Sequence, residues 1–217
     1  SLMDRLAGVA AGVPSFAAHR GTDDEMDRLW DALSTLKDLP IYIDESSRSL
    51  SSIESSIRRM ARRDKVKVIW LDYLQLIRGN PSIDNPTFQI EEISEAIRAI
   101  AKSENVCIIN MMQFNRDGER VRIDGKLGYP TSTAFRGSDR PLFDSAIAFG
   151  LYRPWHYQPP VDAVTNQPIP PERIGDKLQP LELVCLACRY TAPKTLKFWA
   201  RLSVQQLFDE KDPGFDG

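Results

Sequence analysis

Two short apolar runs constrain this chain more than anything else in it. Val66-Lys67-Val68-Ile69-Trp70-Leu71 ends at Asp72, and Val106 to Met112 ends at Gln113. Nearly unbroken apolar runs of this length belong to parallel strands covered on both faces. Between them Ile90, Ile93, Ile97 and Ile100 recur at helical spacing, with Glu91, Glu92, Glu95 and Arg98 on the outer side. A strand, a helix and a second strand in that order predict an α/β fold with a mainly parallel sheet flanked by helices.

The rest of the chain keeps the alternation. Met3 to about Val13 reads as a helix ended by Pro14, and Asp23 or Asp24 to Lys37 as a second, with Met26, Leu29, Trp30, Leu33 and Leu36 on one face. Pro40 opens an expected strand, Ile41-Tyr42-Ile43, followed by a polar loop from Asp44 to Ser49. Leu50, Ile53, Ile57, Met60 and Ala61 then recur at helical spacing, and Arg58, Arg59, Arg62 and Arg63 lie on the other side as an exposed face or a subunit contact. Asn115 to Thr133 is polar and long enough for a functional loop. Ala146 to Tyr152 is a further strand, and the seven prolines from Pro154 to Pro180 predict an inserted surface loop. Leu181 to Ala187 and Leu196 to Leu202 close the sheet as a C-terminal antiparallel edge hairpin. The expected division is one core over residues 1–208 and a flexible tail over 209–217.

Composition sets limits on function. With 217 residues, 42% hydrophobic and 27% charged, the chain can bury a sizeable core, so disorder is excluded. No apolar run approaches the roughly 20 residues of a membrane-spanning helix, and Asp4 and Arg5 break any leader-like segment, so a cytoplasmic protein is expected. A net charge of -2 means that any contact with nucleic acid is local. Cys107, Cys185 and Cys188 are odd in number and lie in apolar stretches, which predicts buried, reduced thiols. His19 and His156 are isolated, which disfavours a nucleophilic triad.

Asp72 and Gln113 stand at the carboxyl ends of strands, where open α/β sheets bind ligands. Position alone leaves a second reading open, that they are the first solvated residues after buried strands. The local words are more specific. Val68-Ile69-Trp70-Leu71-Asp72-Tyr73-Leu74-Gln75-Leu76-Ile77 resembles the Walker B segment of DnaB-type replicative DNA helicases, whose usual form is a hydrophobic strand followed by Asp-Tyr-Leu-Gln-Leu. Met112-Gln113-Phe114-Asn115-Arg116 resembles that family's Gln-Leu-Asn-Arg motif, and Phe135-Arg136-Gly137-Ser138 is similar to its Leu-Arg-Glu-Ser-Gly segment. Leu186-Ala187-Cys188-Arg189 resembles the strand end that carries Lys-x-Arg. Similarity extends from about Met3 to Leu207.

The resemblance implies a RecA-like motor domain that forms a hexameric ring around single-stranded DNA and couples hydrolysis of ATP with Mg²⁺ to unwinding. Asp72 would hold Mg²⁺ through water, because that cation keeps several waters and takes few direct carboxylates. Gln113 would sense the γ-phosphate, and Arg189 would act in trans as an arginine finger, unless it is only a surface cation. Arg136, Gly137 and Asp139 would lie along the DNA. Helicase loader and primase are the further partners implied. Arg120, Arg122 and Lys126 could face DNA too, but interleaved acidic residues favour a solvated loop.

Several departures qualify this. No G-x-x-x-x-G-K-S/T segment is present, and the matched region reads as N-terminally truncated, beginning just downstream of that loop. Met3 directly follows Ser1-Leu2 where the family has a glutamate, Ala187 replaces the Lys of Lys-x-Arg, and Gly137 and Asp139 replace Glu and Gly. The isolated chain is therefore expected neither to hydrolyse ATP nor to unwind DNA, and open apolar sheet edges make self-association an expectation. The alternative is a non-catalytic, helicase-derived protein that binds DNA or helicase subunits.

Overall fold

The computed structural model describes residues 2–14, 16–114, 122–134, 138–170, 174 and 178–209. The helices are α1 (Leu2–Ala11), α2 (Ala17–Arg20), α3 (Asp23–Leu36), α4 (Leu50–Arg62), α5 (Pro86–Glu104), α6 (Arg140–Asp144) and α7 (Pro154–Tyr157). The strands are β1 (Val68–Leu71), β2 (Cys107–Asn110), β3 (Arg122–Ile123), β4 (Lys126–Leu127), β5 (Ile147–Tyr152), β6 (Gln179–Cys188), β7 (Leu196–Arg201) and β8 (Gln206–Phe208). The chain divides into two compact units, one of residues 1–41, 151–184 and 195–217, the other of residues 42–150 and 185–194.

The second unit holds the strand–helix–strand core. β1 and β2 pair in parallel, Val68 with Cys107 through Leu71 with Asn110, and α5 is the crossover between them. The isoleucine stripe of α5 behaves as its spacing requires: Ile93, Ile97 and Ile100 are buried against Ile53 and Ile57 of α4, Ile69 of β1 and Leu74. Helix ends are closed locally. Ser49 and Ser52 form a capping box at α4, Asn85 accepts from Thr87 N at 2.9 Å at α5, and Asn105 ends α5 in the left-handed conformation.

In the first unit α1, α2 and α3 enclose Ala7, Val13, Ala17 and Leu29. A Thr22–Glu25 capping box starts α3, and Arg28 donates to the terminal carbonyls of α1 at Ala11, 2.6 Å, and Gly12, 3.1 Å. The strands here are antiparallel: Gln179 to Leu183 of β6 pair with Ala200 to Leu196 of β7, and β7 pairs with β8. This is the expected hairpin, extended by a third strand that the sequence reading lacked.

Other expectations are corrected. Ile41-Tyr42-Ile43 forms no strand and is exposed; a strand needs a ladder neighbour as well as propensity, and the Ile41 N–H bonds locally to Leu39 O. β1 is not covered on both faces: α4 and α5 pack on the side of Ile69 and Leu71, and alternation puts Val68 and Trp70 on the other side, 50% and 64% exposed. Trp30 is exposed because the packing stripe of α3 runs through Met26, Leu29, Leu33 and Leu36. The thiols are free but not buried. Cys107 lies opposite Val68 on the open face, and Cys185 and Cys188 are half-buried. The proline-rich stretch contains the single-turn α7 and a bridge between Val161 and Pro168.

Two carboxylates tie the second unit together. Hydrogen bonds from the hydroxyls of Ser56, Ser46 and Ser47 hold the Asp44 carboxyl far below the usual carboxylate range, against the opposing effect of burial. Burial pushes the Asp144 carboxyl up, but hydrogen bonds from Ser94 at 2.8 Å, Arg140 at 3.1 Å and Arg98 at 3.3 Å outweigh it and bring it down. Both carboxyls thus titrate lower when folded. The stabilisation is complete above the ordinary carboxylate pKa of about 4 and is lost as pH falls through the folded values. Urea denaturation should show stability falling steadily below about pH 4, with Asp44→Asn about 1–3 kcal/mol weaker at neutral pH and less acid-sensitive. An Asp44→Asn variant with the wild-type acid slope would refute this assignment.

Candidate functional site

The turn that leaves β1 is stitched to the end of β2. Leu71 O accepts from Met111 N and Leu74 N donates to Met111 O, both at 2.9 Å. A 3-10 turn, Leu74–Leu76, follows, anchored by the fully buried Leu74. These bonds bring Asp72 and Gln113 to neighbouring ends of the parallel pair, both exposed, at the carboxyl edge where open α/β sheets take their ligands.

The Gln75 side chain completes the junction. Its Nε2 donates to Gln113 O at 3.1 Å, and Gln113 N donates to its Oε1 at 3.4 Å. Asn110 Oδ1, on the residue directly opposite Leu71, is a buried acceptor without a hydrogen-bond partner among the described residues. Neither group stood out as functional in the sequence, although Gln75 lies inside the Asp-Tyr-Leu-Gln-Leu word.

Beyond Gln113, Phe114 passes over β5. A Cβ built on Gly150 would lie 2.3 Å from Pro130 Cβ and 3.2 Å from Phe114 Cζ, so only glycine fits there. Gly150→Ala should cost about 1–3 kcal/mol by overpacking. A thermal melt of that variant indistinguishable from wild type would contradict the packing described.

Arg189 makes its own set of contacts. It follows β6, its backbone N–H bonds Ala146 O at 3.1 Å, and its exposed guanidinium donates to the Phe143 carbonyl of α6. Asp139 is exposed at the start of α6, without a side-chain cap bond. Arg136 and Gly137 lie outside the described residues, as do Asn115, Arg116 and Arg120. β3 and β4 form a short hairpin within the polar loop, and Lys126 sits over the Tyr129 ring at 4.8 Å.

Among the described residues no three His, Cys, Asp or Glu side chains cluster as a metal site, and no helix is long and apolar enough to cross a membrane. An exposed carboxylate such as Asp72 fits a role in holding Mg²⁺ through water.

The fold is that of a RecA-like ATPase domain. A solved ATPase domain superposes with a TM-score of 0.77 at 22% identity, covering 95% of this chain and 69% of its own. The chain belongs to the DnaB-like helicase C-terminal domain family, whose description matches residues 1–195. A solved DnaB-like replicative helicase, described with its interactions with primase, gives a TM-score of 0.74 at 21% identity over 91% of this chain and 46% of that one. Among curated relatives, the replicative DNA helicase DnaB of Rickettsia prowazekii (strain Madrid E) is 34% identical over 159 residues, 72% of this chain and 32% of the relative. That of Rickettsia bellii (strain RML369-C) is 30% identical over 178 residues, 81% of this chain and 35% of the relative. The chain thus spans about a third of the length of the curated relatives it matches.

Proposed function

We propose that these residues form part of the motor of a replicative DNA helicase, which couples ATP hydrolysis to the unwinding of DNA as a hexameric ring in the cytoplasm. The observation that carries this reading is the placement of Asp72 and Gln113 on neighbouring strand ends, fixed by bonds between the two segments. Residues 1–208 act as one RecA-like core followed by a tail.

Bound Mg²⁺ neutralises the charge that develops on the transferred phosphoryl oxygens. The Asp72 carboxylate would hold the cation through water. The Gln113 amide contacts the γ-phosphate and so senses its loss. The Arg189 guanidinium leaves the Phe143 carbonyl and reaches the nucleotide of a neighbouring copy. As a planar, permanently charged group it stabilises the spreading negative charge there. Arg136, Gly137 and Asp139 line the path of single-stranded DNA, with loader and primase as further partners.

The 217 residues contain no G-x-x-x-x-G-K-S/T cradle, and oriented N–H donors with a lysine supply most triphosphate affinity. Residues 1–217 alone should therefore show no DNA-stimulated ATP turnover above background. The natural polypeptide that carries them should displace a DNA strand in an ATP- and Mg²⁺-dependent manner. Strand binding without ATP-dependent displacement by that polypeptide would favour the non-catalytic, subunit- or DNA-binding alternative.

A further inference from the structure

We infer that Gln75 is a positioning residue that makes Asp72 and Gln113 move as one unit, an inference that rests on the roles proposed for those two residues. The β1–β2 ladder ends at Leu71 opposite Asn110, and past that point the chain after β1 turns away into the Leu74–Leu76 turn. The primary amide of Gln75 takes the place that a peptide group of a continuing strand would occupy. It donates to Gln113 O at 3.1 Å and accepts from Gln113 N at 3.4 Å. The Gln113 backbone is thereby held from the turn that follows Asp72 and Tyr73, and Asp72 itself lies between Leu71 and Leu74, both bonded to Met111.

The chemistry selects glutamine. A peptide group offers one donor and one acceptor, and a primary amide is the side-chain group that reproduces both at once. An ionised glutamate offers only acceptors and would face the Gln113 carbonyl with a negative charge. Leucine fills the space but makes neither bond, and asparagine is one methylene too short. The mount is rigid at its base: Leu74 is fully buried, its N–H bonds Met111 O at 2.9 Å, and Ile77 N closes the turn onto Leu74 O at 3.1 Å. On the far side, Phe114 follows Gln113 directly and rests against Gly150. A displacement of Gln113 is thus shared with Phe114 on one side and, through Gln75, with the turn that follows Asp72 on the other.

The test uses the natural polypeptide that carries this chain and compares Gln75→Leu and Gln75→Glu with wild type in steady-state ATPase assays. Loss of a partner that orients a metal- or substrate-contacting group typically costs about 10–100-fold in activity. Gln75→Leu should lower kcat by about 10-fold or more with the KM for ATP within about 2-fold of wild type. In Gln75→Glu, protonation restores one donor and one acceptor. Its kcat relative to wild type should therefore rise as pH falls from about 8 to about 5.5, whereas the Gln75→Leu ratio stays flat. A purely structural role would instead change KM and kcat together and leave the Gln75→Glu ratio independent of pH.

If Gln75→Leu fails to fold, the pH profile of Gln75→Glu decides alone. Wild-type kcat in Gln75→Leu, or no pH recovery in Gln75→Glu, overturns the inference. Failure of the underlying reading looks different: Asp72→Asn and Gln113→Ala would then keep wild-type turnover. If those two variants are inactive while Gln75→Leu is normal, only the positioning role is wrong.

Discussion

On the proposed reading, Arg189→Ala should lower the ATP turnover of the natural polypeptide by about 10³-fold or more, the scale set by arginine fingers in phosphoryl transfer. Nucleotide affinity should change little, because the role proposed for the guanidinium is at the charge that spreads in the transition state. In the structure Arg189 is exposed, and its side chain rests on the Phe143 carbonyl, a neutral acceptor. Exchanging such a contact for anionic phosphate oxygens is favourable, since hydrogen bonds to charged acceptors are roughly twice as strong as neutral ones. Arg189→Lys keeps the charge but not the planar fork, and it should recover only part of the loss. Steady-state kinetics with a fluorescent nucleotide titration separates the two effects. A proportionate loss of binding and turnover would place Arg189 outside the catalytic step.

Asp72→Asn has the second large effect. It retains the size and the strand-end position but removes the negative charge that is proposed to hold Mg²⁺ through water. Metal-ion catalysis contributes several kcal/mol, so turnover should fall by about 100-fold or more, with the Mg²⁺ concentration for half-maximal rate shifted upward. Because Asp72 is exposed and makes no part of the core, the melting temperature should stay close to that of wild type. Loss of folding together with activity would make Asp72 structural instead.

The parts of the fold that were legible were those where one period dominates. The four isoleucines of α5 and the runs that became β1 and β2 specify helix and strands by spacing alone, and the antiparallel β6–β7 pair followed from two apolar runs around a turn. Coverage was not legible: Val68 and Trp70 belong to a run that looks buried on both faces, yet neighbouring elements decide which face is covered. Ile41-Tyr42-Ile43 failed for the same reason, because three apolar residues do not supply a ladder partner. β8 has three residues and α6 has five, too few to set a period.

Within the candidate site, Asp72, Gln113 and Arg189 were legible as words resembling family motifs, and the first two follow the ends of two strands that pair in parallel. The link between them was not. Gln75 and Gln113 are 38 positions apart, and no spacing rule reports a side-chain amide that substitutes for a strand's peptide group. Likewise, nothing in Phe143 marks its carbonyl as the resting partner of Arg189.

Mixing two inactive variants of the natural polypeptide, Asp72→Asn and Arg189→Ala, tests most directly whether each nucleotide site draws these residues from different copies. In the proposed ring, a mixture would leave some interfaces that pair an intact Asp72 from one copy with an intact Arg189 from the next. ATP hydrolysis should therefore exceed that of either variant alone. Activity in the mixture no greater than the average of its parts, in rings shown by mass to contain both variants, would contradict a shared site.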